Sequence, residues 1–108
     1  MNMEPFGIFI VYISWGNDGK LRPVLIMEQD GKIIKVFPIT TQYQNKSKNM
    51  QKKYLEIKDW KQAGLHNQSY IDANKKIELP DSAFSEKTLV GRLTETDKQR
   101  LLEFLNRA

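Results

Sequence analysis

An Asp-Gly pair between two apolar runs constrains the fold of this chain more than any other local feature. Arg22 to Gln29 and Lys32 to Ile39 are both rich in aliphatic residues, and Asp30-Gly31 joins them. Such a pair favours a two-residue hairpin turn of type I′, because both central residues of that turn need a positive φ. We therefore predict an antiparallel hairpin that turns at Asp30-Gly31.

A further strand precedes this hairpin. Gly7 to Trp15 carries β-branched and aromatic residues at both alternating positions, which is typical of a strand buried on two faces. Gly16 to Gly19 is a cluster of turn residues. Shorter runs predict strands at Tyr54 to Ile57, Ser69 to Asp72, Lys76 to Leu79 and Thr88 to Leu93.

The end of the chain has the pattern of a helix. Thr94 is a good N-cap, and the acids of the first turn complement the helix dipole. Leu101, Leu102 and Leu105 form the predicted apolar stripe. Many short strands with one terminal helix predict a mainly β fold, closed as a small and strongly curved barrel. A length of 108 residues fits a single domain, 1–108.

Composition excludes several classes of protein. The longest apolar run has six residues, Ile8 to Ile13, whereas a bilayer span needs about 20. The first residues lack the pattern of a secretory signal, so we expect a soluble, cytoplasmic protein. The absence of cysteine excludes disulfides and zinc fingers, and His66 is the single histidine. No acidic cluster has metal-ligand spacing and no glycine-rich phosphate loop occurs, so we expect no cofactor.

The excess positive charge is concentrated in one segment. The net charge is +4, and Thr40 to Leu55 contains four lysines and no acid. A local basic patch is typical of a site for a polyanion, although a solvated lysine-rich loop has the same composition. Because Gln42 to Lys53 is polar and without a period, we predict a long mobile loop there.

Two polar residues are expected at the open end of the hairpin. Pro23 favours an extended conformation at Arg22, and Thr40 follows the third strand. A turn centred on Asp30-Gly31 would place Arg22 nearly opposite Ile39, and therefore within reach of Thr40. A guanidinium beside a hydroxyl could bind and stabilise a phosphodiester. The alternative is that the two residues simply cap a strand end.

Several ordered segments resemble the MazF/PemK (Kid) family of type II toxin–antitoxin ribonucleases. These segments are Gly7 with its apolar strand, Gly19-Lys20-Leu21-Arg22-Pro23-Val24-Leu25-Ile26, Phe37-Pro38-Ile39-Thr40-Thr41, Ser69 to Ile77, and Val90 to Asp97. The resemblance implies an SH3-like barrel of the MazF/CcdB type that forms a homodimer. It also implies a cytoplasmic toxin that cleaves single-stranded mRNA without a metal and binds a cognate antitoxin, through which it contacts DNA indirectly.

The resemblance also assigns roles to residues. Arg22 and Thr40 match the family's catalytic arginine and threonine, and Asp72 matches the acidic residue proposed as a general base in some members. The implied reaction is attack of the ribose 2′-hydroxyl on the adjacent phosphate, which leaves a 2′,3′-cyclic phosphate. Two positions depart from the family: Ile8 stands in place of an aspartate, and Tyr70 in place of an arginine proposed as general acid.

The remaining site predictions concern RNA binding. We expect the basic loop to bind phosphates through its lysines, while Tyr43 stacks on bases. The predicted RNA-binding residues are Trp15, Lys20, Thr41, Gln42, Tyr43, Lys46, Lys48, Lys52, Lys53 and Tyr70. Two alternatives remain open at this point: a CcdB-like toxin of the same fold that inhibits DNA gyrase, and a non-catalytic SH3-like module that binds nucleic acid or peptides.

Overall fold

The computed structural model describes residues 3–107, without the side chain of Trp15. The protein is mainly β with a C-terminal helix, as the sequence predicts. Its strands are β1 (Gly7–Trp15), β2 (Asp18–Asp30), β3 (Ile33–Thr40), β4 (Tyr54–Ile57), β5 (Ser69–Asp72), β6 (Ile77–Pro80) and β7 (Leu89–Arg92). The helices are α1 (Lys48–Gln51) and α2 (Glu95–Asn106), and two 3-10 turns lie at Asp81–Ala83 and Glu86–Thr88.

These strands form one antiparallel sheet in the order β4-β5-β3-β2-β1-β7. Strand β3 is paired twice on the side away from β2: its first half pairs with β6 through Ile33 to Val36, and its end pairs with β5 through Ile39 and Thr40. Within the described part of the chain, the sheet does not close into a barrel, because β4 and β7 remain its edges. The mainly β class is therefore confirmed, and barrel closure is not.

Apolar residues pack against both faces of the central strands. One cluster joins Ile8, Leu25 and Ile39 to Leu101 of α2. The residues that alternate with them pack on the opposite face with Phe84. The prediction of two-sided burial for β1 is right at its start and wrong near its end, where Tyr12 is 59% exposed.

The hairpin differs from its predicted register by one to two residues. Asp30 pairs with Ile33, so the turn residues are Gly31 and Lys32. Gly31 has a φ of 62°, whereas Lys32 is not among the described residues with positive φ, which is the pattern of a type II′ turn rather than type I′. A bulge between Ile26 and Glu28 then shifts the ladder once more.

The basic segment is a loop, as its composition predicts, but it contains one turn of helix, and its predicted mobility stays a prediction. Ser47 caps the one-turn helix α1, and its hydroxyl accepts a hydrogen bond from the Met50 backbone N–H at 3.2 Å. The Gln51 side chain donates to the Tyr43 carbonyl oxygen at 3.1 Å, which ties the two ends of this segment together. Local capping therefore organises a sequence without hydrophobic periodicity.

Helix α2 is fastened to the end of β4 by a buried carboxylate. Asp97 is 1% exposed, accepts hydrogen bonds from the backbone N–H groups of Lys58 and Asp59, and contacts Arg100 at 2.8 Å. Thr94 caps the helix as predicted. The sequence predicts Leu102 in the apolar stripe, but this residue is exposed; Phe104 takes that place beside Leu101 and Leu105. No helix within residues 3–107 is both long and apolar enough to cross a bilayer.

Candidate functional site

A groove opens where β2 and β3 separate. Their ladder ends at the pair formed by Val24 and Pro38. Pro23 and Pro38 both lack a backbone N–H and cannot donate to a continued ladder. Beyond this point β2 pairs with β1, while the end of β3 pairs with β5. The groove between these two arms has a volume of about 780 Å³.

Arg22 and Thr40 lie on the two sides of this opening. Continuing the observed β2–β3 register past its last pair places Arg22 across from Thr40, rather than nearly across from Ile39 as the sequence predicts. Both residues are half-buried and both line the groove. The Thr40 hydroxyl oxygen accepts a hydrogen bond from the Gln42 backbone N–H at 3.0 Å, which leaves its O–H able to donate to a ligand.

Asp72 reaches the same groove from the next strand. Thr40 is paired with Tyr70 on β5, so alternation places Asp72 on the same sheet face as Thr40, at the end of that strand. An Asp72 carboxylate oxygen accepts a hydrogen bond from the Asn74 backbone N–H at 3.3 Å. The three predicted catalytic residues Arg22, Thr40 and Asp72 therefore line one cavity.

Tyr54 also lines the groove, although the sequence does not predict it as a site residue. It is the cross-strand partner of Asp72. Burial, followed by the negative charge of Asp72, raises the pKa of the Tyr54 phenol above its ordinary value of 10.0. The phenol therefore stays protonated at neutral pH and supplies a hydrogen-bond donor. The alternation of β4, with Leu55 and Ile57 buried, is the signal that could have placed Tyr54 on the polar face.

The groove carries more positive than negative charge. Lys20 and Lys46, which the sequence predicts as RNA-binding residues, line it together with Thr41 and Gln42. Lys75 is an additional cation that the site predictions missed. Among the described residues that line the groove, Asp72 is the one acid. Such an arrangement favours an anionic ligand.

Two predicted RNA-binding tyrosines lie beside the groove rather than in its lining. The Tyr43 and Tyr70 rings stack on one another, with centroids 4.2 Å apart and planes 5° apart. Burial raises the pKa of the Tyr70 phenol, with smaller contributions from Glu56 and Tyr43. The phenol therefore stays protonated at neutral pH, as that of Tyr54 does, and the predicted contact of Tyr70 with RNA stays a prediction.

The remaining predicted RNA-binding residues are not gathered in the groove. Lys48 begins α1 and is exposed. Lys52 and Lys53 line a second, smaller pocket. The predicted site at Trp15 depends on a side chain that lies outside the described part of the structure. Among the residues that the structure describes, no group of three or more His, Asp or Glu side chains is arranged to hold a metal ion.

Comparison with known proteins adds no family assignment. No protein-family model matches the chain. A search of curated proteins finds no significant match either.

Proposed function

We propose that this protein is an endoribonuclease that cleaves single-stranded RNA by attack of a ribose 2′-hydroxyl on the adjacent phosphate. The observation that carries the proposal is that Arg22, Thr40 and Asp72 line one groove. These residues come from three different strands. The rival hypothesis of two isolated strand caps does not require Asp72 in the same cavity.

Each residue has a role that its chemistry suits. The Arg22 guanidinium can hold two phosphate oxygens and stabilise the charge that develops on them. The Thr40 O–H can donate to a third oxygen or to the sugar. The 2′-oxygen attacks phosphorus and the bond to the 5′-oxygen breaks. Asp72 accepts the proton of the 2′-hydroxyl, and the departing oxygen takes a proton from water or from the neutral Tyr54. The products are a 2′,3′-cyclic phosphate and a 5′-hydroxyl.

The cations of the groove support an RNA substrate. Lys20, Lys46 and Lys75 would neutralise phosphates that flank the scissile one, and such contacts position a strand without reading its sequence. The nucleophile belongs to the RNA itself, so this reaction requires the enzyme to align atoms rather than to activate water.

We also propose, from the resemblance, that the protein is a toxin of the MazF/PemK type. In that case the open sheet is a variant of the SH3-like barrel, the protein works in the cytoplasm, and an antitoxin with an acidic segment covers the groove. A homodimer is also part of the proposal. It is supported by the exposed apolar pair Tyr12 and Leu21, which are direct cross-strand neighbours.

The test is incubation of the purified protein with a mixed pool of single-stranded RNA in EDTA, followed by mapping of the new ends. We expect cleavage, with cyclic phosphate at one end. Arg22→Ala should reduce the cleavage rate by about 10²- to 10³-fold, the usual cost of losing one oxyanion donor. Arg92→Ala is the matched control, because Arg92 is exposed on β7 and pairs with Glu4 rather than lining the groove.

Four results would contradict the proposal. Loss of cleavage in EDTA would show a metal-dependent reaction, and normal cleavage by Arg22→Ala would remove the proposed site. Inhibition of gyrase supercoiling without RNA cleavage would favour a CcdB-like toxin, while RNA binding without cleavage would favour a non-catalytic module.

A further inference from the structure

A second pocket lies next to the groove. Its volume is about 320 Å³. Its lining combines basic side chains with a half-buried apolar surface at the end of α2. The lining residues are Lys52, Lys53, Ala73, Asn74, Phe104, Leu105 and Arg107.

The same two chain segments line both cavities. In the segment before β4, Lys46 lines the groove and Lys53 lines the second pocket. In the turn after β5, Lys75 lines the groove and Asn74 lines the pocket. The Ala73 backbone N–H donates to the Lys53 carbonyl oxygen at 3.2 Å, so the two segments are joined. A ligand that crosses these two joined segments would pass from one cavity into the other.

The chemistry of the second pocket is that of a nucleotide site. Lys52, Lys53 and Arg107 are exposed cations, and no acid is found among its described lining residues. Phe104 and Leu105 are half-buried against the core and present an apolar surface. Aromatic side chains next to cations are what single-stranded nucleic-acid sites use, because a base stacks while the phosphates are neutralised.

We propose that the second pocket binds a further nucleotide of the RNA strand whose scissile phosphate lies in the groove. This inference rests on the proposed function. The lysines of the basic segment then act at two places: Lys46 binds near the reaction, and Lys52 and Lys53 bind at a distance with Arg107. An acidic peptide would satisfy the charges of the pocket, but the two segments that line both cavities favour one continuous ligand.

The experiment compares substrate lengths. One probe is a trinucleotide that fills the groove, and the other is a single strand of about ten nucleotides, within the range of single-strand site sizes. The variant is Lys53→Gln/Arg107→Gln. The control is Lys58→Gln/Lys87→Gln, which removes the same charge from exposed positions that line neither cavity.

We expect the pocket variant to raise KM several-fold for the longer RNA, with kcat unchanged and the trinucleotide unaffected. The slope of log affinity against log salt should become shallower by about 0.7 for each phosphate that the variant leaves without a cation. The control variant should match the wild type with both probes. Equal losses on both lengths, or equal losses in both variants, would overturn the proposal, because they would indicate a general electrostatic field.

A binding measurement separates this inference from the proposed function. A 2′-O-methylated RNA of the same length lacks the attacking hydroxyl, so its dissociation constant reports binding alone. If no RNA is cleaved but the pocket variant binds this probe more weakly, the proposed reaction fails and the pocket remains a nucleic-acid site. If RNA is cleaved and the pocket variant binds normally, the pocket inference fails. A polyglutamate peptide that loses affinity in the variant, with RNA affinity unchanged, would overturn it in favour of a protein partner.

Discussion

The two ends of the β2–β3 hairpin contrast in structure although they belong to the same two strands. At the turn end, β6 continues the sheet beyond β3, and Ile26, Ile34 and Val36 have no exposed surface. At the other end the ladder stops, and the half-buried Arg22 and Thr40 line a groove. The first end supplies packing to the fold, and the second brings polar side chains to the lining of a groove.

This difference has a simple physical origin. A continuous ladder satisfies the backbone groups of both strands and brings alternate side chains into the core. Where proline interrupts it, the strands separate and choose different neighbours, so that side chains from several strands face a common space. Substitutions at the turn end should therefore change stability, and substitutions at the open end should change activity.

The largest effect is expected for Ile34→Ala at the turn end. Removing a fully buried side chain should lower the free energy of unfolding by about 2–5 kcal/mol. Ile33→Ala is the matched control, because the Ile33 side chain is 40% exposed and its removal should cost far less. Urea unfolding measures both. Equal losses at the two positions would mean that burial does not distinguish them.

At the open end, Thr40→Val should reduce RNA cleavage about ten- to hundredfold, the value of one hydrogen bond to a charged oxygen. Stability should change little, because Gln42, whose N–H loses its acceptor, is exposed and can bond to water. Thr40→Ser keeps the hydroxyl and should retain most activity. The measurements are the cleavage rate and the unfolding curve of each variant. Equal cleavage rates for Thr40→Val and Thr40→Ser would refute the role of the hydroxyl.

The smallest effect is expected for the stability of the protein at alkaline pH, through the ionisation of Tyr54. Burial and Asp72 raise the pKa of this phenol in the folded protein above 10.0. Above pH 10.0 the unfolded chain therefore binds fewer protons at this position, so stability is intact below that pH and falls as pH rises through the folded pKa. Tyr54→Phe should show a shallower decline in unfolding experiments at alkaline pH. An unchanged decline would show that Tyr54 is not shifted.

Local patterns predict much of the fold. The strands, the N-cap at Thr94 and the presence of a hairpin depend on neighbouring residues and backbone preferences, and the structure contains them. The register could not be predicted from Asp30-Gly31 alone, because the sheet selects the turn at Gly31-Lys32 and adds a bulge. The prediction for Leu102 is wrong for a similar reason. Tertiary contacts of Asp97 and packing in the core decide which face of α2 is buried, and the positions of the leucines in the sequence do not.

What the sequence determined by itself was therefore the strands, the terminal helix and the place of Thr40 at the end of β3, since these follow from interactions over a few residues. Arg22 lies inside β2, paired with Val11 of β1, rather than at the start of its strand as the sequence predicts. The tertiary structure decided which polar groups share a cavity. It brought Asp72, which the resemblance predicts as a site residue, into the groove, added Tyr54 and Lys75, and placed Lys52 and Lys53 in another pocket. Composition groups Lys46, Lys52 and Lys53 in one basic segment, whereas pairing between distant strands decides which cavity each of them lines.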